Sequence, residues 1–221
     1  FELCARRCME VAERYGVDLR IPLPIESPWF VMAEIAAAHA SVPLRGIMEE
    51  TLGAAMEAGE VTDAALAESE AQRLGIWKIR EDYPECNRQA GPSAVTDTAV
   101  PVSAVPAFIE QATTAAMARW PEGHIGAIGH AGDGNIHFGL QAPDGWDQGR
   151  AAWIERTDGF ERLVNEIAVS LGGSFSAEHG IGQSKRHAMQ SHKDPVAIDV
   201  MRTLKDALDP DGRMNPGKVL P

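Results

Sequence analysis

The 221-residue chain is poor in several things at once. It contains only three cysteines, Cys4, Cys8 and Cys86. Cys4 and Cys8 lack the C-x-x-C spacing of a redox pair or zinc knuckle, and an odd count with no framework excludes a disulfide scaffold. Such usage fits a reducing cytosol, with all three read as small buried apolar residues. Basic residues are scarce too: 20 against 32 acidic ones leave a net charge of −12. Phosphate backbones would be repelled by that field and no basic patch offsets it, so nucleic acid is excluded as a partner. No apolar run approaches the roughly 18 residues needed to span a bilayer. The chain opens at Phe1 with no basic-then-apolar leader, so no signal peptide is expected in it.

What is present is an ordinary globular composition, 44% hydrophobic and 24% charged, long enough for one sizeable core. Apolar spacing predicts helices over 2–15, from Ser41–Pro43 to near Gly59 (Leu44, Ile47, Met48 and Leu52 inward), 68–82, 103–119, 153–171 and 195–208. Trp29 to Ile35 reads as a buried strand, and Trp77 and Met48 as core. Further strands are expected at 61–66, 97–102, 125–130, 136–140 and 174–177. Residues 83–96, with Pro84, Gly91 and Pro92, read as a loop, and 209–218 as an extended tail. A tight turn between the strands at 125–140 makes them antiparallel, so the fold class expected is α+β: an antiparallel or mixed sheet covered by helices, in one domain.

Chemistry concentrates in two segments. Gly129-His130-Ala131-Gly132-Asp133-Gly134-Asn135-Ile136-His137 brackets a glycine-rich turn with two imidazoles, and Ser176-Ala177-Glu178-His179-Gly180-Ile181-Gly182 adds a carboxylate and a third. If the first segment turns as a hairpin, His130 and His137 meet at its mouth and can share one ion. Glu178 would complete a His₂Glu set with an open position. On extended backbone His179 points away from Glu178 and is free to act as a base. Asp133 and Asn135 are read as turn stabilisers. His124, His187 and His192 are read as ordinary structural or surface residues.

These residues resemble those of a known family. The 129–137 and 176–182 segments together with Asn215-Pro216-Gly217-Lys218 are similar to the C-terminal part of the FAD-linked oxidases of the vanillyl-alcohol oxidase type, which include D-lactate, glycolate and D-2-hydroxyglutarate enzymes. Pro28 to Glu34 and Ile76 to Glu81 fit the same pattern, so the resemblance covers nearly the whole chain in order. It implies that residues 1–221 are the substrate-binding or cap domain, with ferredoxin-like layers, and that an N-terminal FAD-binding domain, absent from this chain, carries most of the flavin. It further implies that His130, His137 and Glu178 bind a divalent metal, zinc or manganese, and that His179 takes the hydroxyl proton as hydride passes to FAD. Arg80 would grip the substrate carboxylate, and Asn215 and Lys218 would meet the flavin side. The implied partners are a small 2-hydroxyacid, the flavin domain, an electron-acceptor protein or quinone, and further copies of the chain in a homo-oligomer. The expected location is the cytoplasm, or peripheral at a membrane.

Three departures bear on substrate. Gly139 stands where many relatives carry asparagine, Val95 where a lysine is common, and Pro84 four residues after Arg80, where the glutarate enzymes carry threonine. Losing these polar groups disfavours a second carboxylate, so a lactate- or glycolate-like monocarboxylic acid is expected. Two other functions stay open on the residues alone: a flavin-independent, metal-dependent hydrolase using the same site, and a non-catalytic binding module.

Overall fold

The structure is a computed structural model describing residues 1–221. Strand β1 (Glu2–Ala5) runs directly into helix α1 (Arg6–Tyr15), followed by β2 (Trp29–Met32), α2 (Leu44–Glu57), α3 (Glu70–Ala90) and β3 (Ser93–Ala99). Then come α4 (Val105–Arg119), β4 (His124–Gly129), β5 (Asn135–Gln141), α5 (Gly149–Arg156), α6 (Phe160–Ser170), α7 (Arg186–His192) and α8 (Pro195–Leu208). The five strands form one antiparallel sheet in the order β2-β1-β4-β5-β3. The fold is α+β, as expected. From β3 onward the chain traces β-α-β-β-α and then returns to the outer edge of β3 through an Ala99–Ser174 bridge, which is the ferredoxin-like order.

Side-chain alternation on β5 divides the molecule. Ile136, Phe138 and Leu140 point into the larger core, where Phe108, Ala112, Trp120, Trp153, Phe160 and Val164 from α4, α5 and α6 close over them. On the opposite face, Cys4 of β1 and Ile128 of β4 pack under Cys8 and Met9 of α1 and Ile79 of α3. That second core stops at β4. The β5–β3 half of this face carries His137, Gly139, Val95 and Asp97 instead, and the site is built there.

Several expectations are corrected. Residues 2–5 are a strand and only 6–15 helical, because Leu3 and Cys4 pair with Gly129 and Ile128. Residues 61–66 form no strand. Helix α3 continues through Pro84 to Ala90, erasing the expected loop at 83–96. Ile79 and Cys86 are buried, with Ile76 and Tyr83 partly so, and this apolar spacing seats the helix despite the hydrogen bond that proline removes. β3 accordingly starts at Ser93, not Asp97. The helix expected over 153–171 breaks at Gly159, whose φ of 84° is left-handed. The strand at 174–177 shrinks to one bridge. Trp29 is 39% exposed rather than core, Trp77 and Met48 are only half-buried, and α2 buries none of its residues. The cysteines are free and buried as read; burial pushes the Cys8 thiol up to about 11. No helix is long and apolar enough to cross a membrane.

Candidate active site

The register of the sheet assembles the site. Asp97 of β3 lies opposite His137 of β5, which lies opposite Ile128 of β4. All three therefore project from one face. His130 follows directly on the end of β4, and the turn 131–134 returns the chain into β5. Gly134 makes that turn feasible: its φ is 82°, and a Cβ there would sit 1.8 Å from the Val100 carbonyl oxygen. Asp133 accepts from the backbone N–H of Asn135 at 3.0 Å, the turn-stabilising role expected of it. His130 and His137 are not a directly opposed pair, because His137 pairs with Ile128 and His130 lies beyond the ladder. Their rings nevertheless approach edge-on, with centroids 6.1 Å apart.

Both imidazoles turn Nε2 towards Glu178. His130 Nε2 is 3.3 Å from Glu178 Oε1 and His137 Nε2 is 3.5 Å from Oε2. Their other nitrogens face further carboxylates. Nδ1 of His130 bonds Glu2, and Nδ1 of His137 is 3.7 Å from Asp97 Oδ1. A carboxylate behind each imidazole favours the tautomer that leaves Nε2 free as a ligand. Burial also lowers the His137 pKa below its ordinary value, keeping it in the neutral, ligating form.

Neither Glu2 nor Asp97 was singled out as a site residue by sequence reasoning. Glu2 is buried and also binds Arg80, whose Nε lies 2.7 Å from Glu2 Oε2. Asp97 is 2% exposed. Its Oδ2 accepts from the backbone N–H groups of Ala177, Glu178 and His179 at 3.2, 3.0 and 2.8 Å, and its Oδ1 accepts from Asn135 Nδ2 at 3.0 Å. Lys185 Nζ stands 3.5 Å away. Burial works to raise this carboxyl's pKa, but those donors together outweigh it and hold the group down to about 2. The sequence signal available for Glu2 and Asp97 was only that each is an acidic residue beside a strand's apolar positions.

His179 does not point away as expected. Its ring stacks on His137 at 15° and 5.6 Å, with Nδ1 3.6 Å from Asp97 Oδ2. Asp97, His137, Glu178 and His179 each offer a donor atom within 4.8 Å of the others. Asp97, however, already spends both oxygens on four N–H donors, whereas Nε2 of His130 and of His137 lie free against Glu178. His130, His137 and Glu178 could offer a divalent cation two nitrogens and a carboxylate, and His179 stands within reach of the same cluster.

Arg80 reaches this cluster through Glu2, with its Nη groups making no hydrogen bond within the chain. Asn215 and Lys218 are exposed, and neither side chain bonds inside the chain; only the backbone beyond them returns, Val219 N–H donating to Gly182 O at 2.8 Å. A cavity of about 280 Å³ opens beside the cluster, between Val95, Asn165, His179 and Lys185.

Sheet order, helical layers and a histidine–carboxylate cluster on one face of the β5–β3 pair define an α+β domain with its polar chemistry gathered in one place. The chain belongs to the FAD-linked oxidases: residues 1–219 match the family described as FAD linked oxidases, C-terminal domain. Among its relatives, a D-2-hydroxyglutarate dehydrogenase of Stutzerimonas stutzeri is 31% identical over 91% of this chain and 42% of its own length. A mitochondrial D-2-hydroxyglutarate dehydrogenase of Rattus norvegicus is 31% identical over the whole chain and 39% of its own. A probable mitochondrial D-lactate dehydrogenase of Danio rerio is 36% identical over 72% of this chain and 31% of its own. The chain thus spans less than half the length of these relatives.

Proposed function

We propose that this chain is the substrate-binding cap domain of a flavin-dependent, metal-assisted dehydrogenase that oxidises a D-2-hydroxyacid to the 2-oxoacid, with a lactate- or glycolate-like acid as substrate. The observation that carries it is the convergence of His130 Nε2 and His137 Nε2 on Glu178, with carboxylates behind both rings and His179 stacked alongside. FAD, when bound, supplies the hydride acceptor, and a divalent cation held by His130, His137 and Glu178 supplies a charge that acidifies the substrate hydroxyl.

This chain's residues would do the rest. His179, 62% exposed at its side chain, takes the hydroxyl proton as the carbon loses hydride, so proton and hydride leave in balance. The free Nη donors of Arg80 engage the carboxylate shared by all 2-hydroxyacids. Asn215 and Lys218, on the tail anchored at Gly182, are assigned to the side that meets the flavin domain.

The substrate class rests on a second observation. Val95 and Gly139 are cross-strand partners, two residues along each strand from Asp97 and His137 and on the same face. There Val95 offers an apolar side chain 51% exposed and Gly139 offers no side chain, so neither of these two positions supplies a side-chain donor for a second carboxylate. Most of the named relatives are D-2-hydroxyglutarate dehydrogenases and one is a probable D-lactate dehydrogenase, so turnover must decide. The test compares kcat/KM of the flavin-loaded full-length enzyme for D-lactate, glycolate and D-2-hydroxyglutarate. Preference for a monocarboxylic acid by about tenfold or more supports the assignment. Saturable turnover of hydroxyglutarate well ahead of both overturns the substrate class. A flavin-loaded enzyme inert to every D-2-hydroxyacid overturns the reaction.

A further inference from the structure

Asp97 is more than a buried acid beside the site. The half-exposed Glu178 faces the Nε2 edges of His130 and His137, but Asp97 is the buried carboxylate that faces two of the site's imidazoles at their other edge: Nδ1 of His137 lies 3.7 Å from Oδ1, and Nδ1 of His179 lies 3.6 Å from Oδ2. These separations exceed a hydrogen bond but fall within ion-pair range. The two rings lie nearly parallel, 15° apart, so a single anion addresses the same edge of each. Asp97 cannot turn away, because one oxygen is held by three consecutive backbone N–H groups and the other by Asn135. Those three N–H groups belong to Ala177, Glu178 and His179, so the loop that carries the site is wrapped around this side chain.

A neutral imidazole has one N–H and one lone pair. Beside a fixed, buried anion, a lone pair at Nδ1 is repelled and an N–H at Nδ1 is attracted, and low local polarity magnifies the difference. We propose that Asp97 is the positioning residue of the site, setting both His137 and His179 in the Nδ1–H tautomer and so turning a free Nε2 outward from each ring. On His137 that lone pair faces Glu178, where a cation would sit; on His179 it is the atom that receives the substrate proton. One carboxylate on β3 thereby couples the ligand to a base that lies 82 residues along the chain from Asp97. The proposal deepens the dehydrogenase reading and rests on it for the role of His179. Its structural content, the two tautomers, stands without it.

The test reads tautomers directly. The full-length protein, labelled with ¹⁵N at histidine and stripped of metal with a chelator, is examined by long-range ¹H–¹⁵N NMR above the range where imidazoles protonate. Removing the metal matters, since a bound ion would impose the same tautomer by itself. Both His137 and His179 should show Nδ1–H. Either ring carrying its proton on Nε2 overturns the proposal, whatever happens to any variant. In D97N, with a thermal transition confirming a folded protein, both rings should lose that uniform tautomer. In the reloaded enzyme kcat should then fall about 10- to 100-fold, the usual effect of removing a carboxylate behind an imidazole, while KM stays within about threefold. A D97N enzyme that keeps kcat, or in which kcat and KM change only in step with lost folded protein, overturns it. If D97N does not fold, the wild-type tautomers decide. A wild-type protein without hydroxyacid turnover sinks the dehydrogenase reading, while the tautomer measurement still reports on Asp97.

Discussion

Glu2 and His130 are hydrogen-bonded although 128 residues separate them, and the same carboxylate holds Arg80 through its other oxygen. Strand β1 brings this about by pairing with β4 just before His130, so Glu2 stands behind an imidazole 128 residues further on. Substituting Glu2→Gln keeps the shape and removes the charge. Affinity for zinc or manganese should weaken about 10- to 100-fold, measured by titration with a competing chelator. Unchanged affinity would mean that Glu2 serves only to seat Arg80.

His179→Ala separates base from ligand. In the proposed assignment the cation belongs to His130, His137 and Glu178 and the proton to His179, whose ring stacks on His137. Hydroxyacid-driven flavin reduction should drop about 10²- to 10⁴-fold while metal content, read by elemental analysis, is retained. Glu178→Ala should give the reverse signature, with metal lost first. A His179→Ala protein that still reduces its flavin at the wild-type rate assigns the proton transfer elsewhere.

Val95 gives a handle on specificity. Placing lysine there sets an ammonium on the open half-sheet opposite Gly139. The ratio of kcat/KM for D-2-hydroxyglutarate over D-lactate should rise about tenfold or more, the yield of one hydrogen bond to a charged group. No change in that ratio would place the substrate's far end away from β3.

Gly134→Ala probes the turn between the two histidines. A Cβ there would lie 1.8 Å from the Val100 carbonyl oxygen, and φ is already left-handed at 82°. Backbone must therefore move, at a cost on the order of 2 kcal/mol or more. Both the thermal midpoint and metal affinity should fall, because the turn sets the separation of His130 and His137. A normal midpoint would show that the turn relaxes freely.

The depressed pKa of Asp97 makes a pH prediction whose sign is definite. A carboxyl held at about 2 when folded, against an ordinary value near 3.8, contributes stability above the ordinary value. That contribution, about 2 kcal/mol, is lost as pH falls from about 4 to about 2. Urea titrations should show wild type more stable than D97N at neutral pH, with the gap closing in acid. A gap that does not narrow below pH ~3 would assign the difference to packing rather than to the charge.

The local features were legible in the sequence. The alternation of Ile136, Phe138 and Leu140 declares a strand, and Gly129 to His137 declares a turn between two imidazoles, because period and φ preferences act within a few residues. The set His130, His137, Glu178 and His179 could be named for the same reason. The first part of helix α3 is legible, but its continuation past Asp82 is not, because Pro84 and the turn formers after it outweigh, locally, an apolar stripe whose value depends on α1 and the sheet being there. The pairing of Glu2 with His130, the stacking of His179 on His137 and the grip of Asp97 on the 177–179 backbone belong to the tertiary structure alone. They are set by strand order and register, which join residues tens to more than a hundred apart, and no local pattern in the chain carries that information.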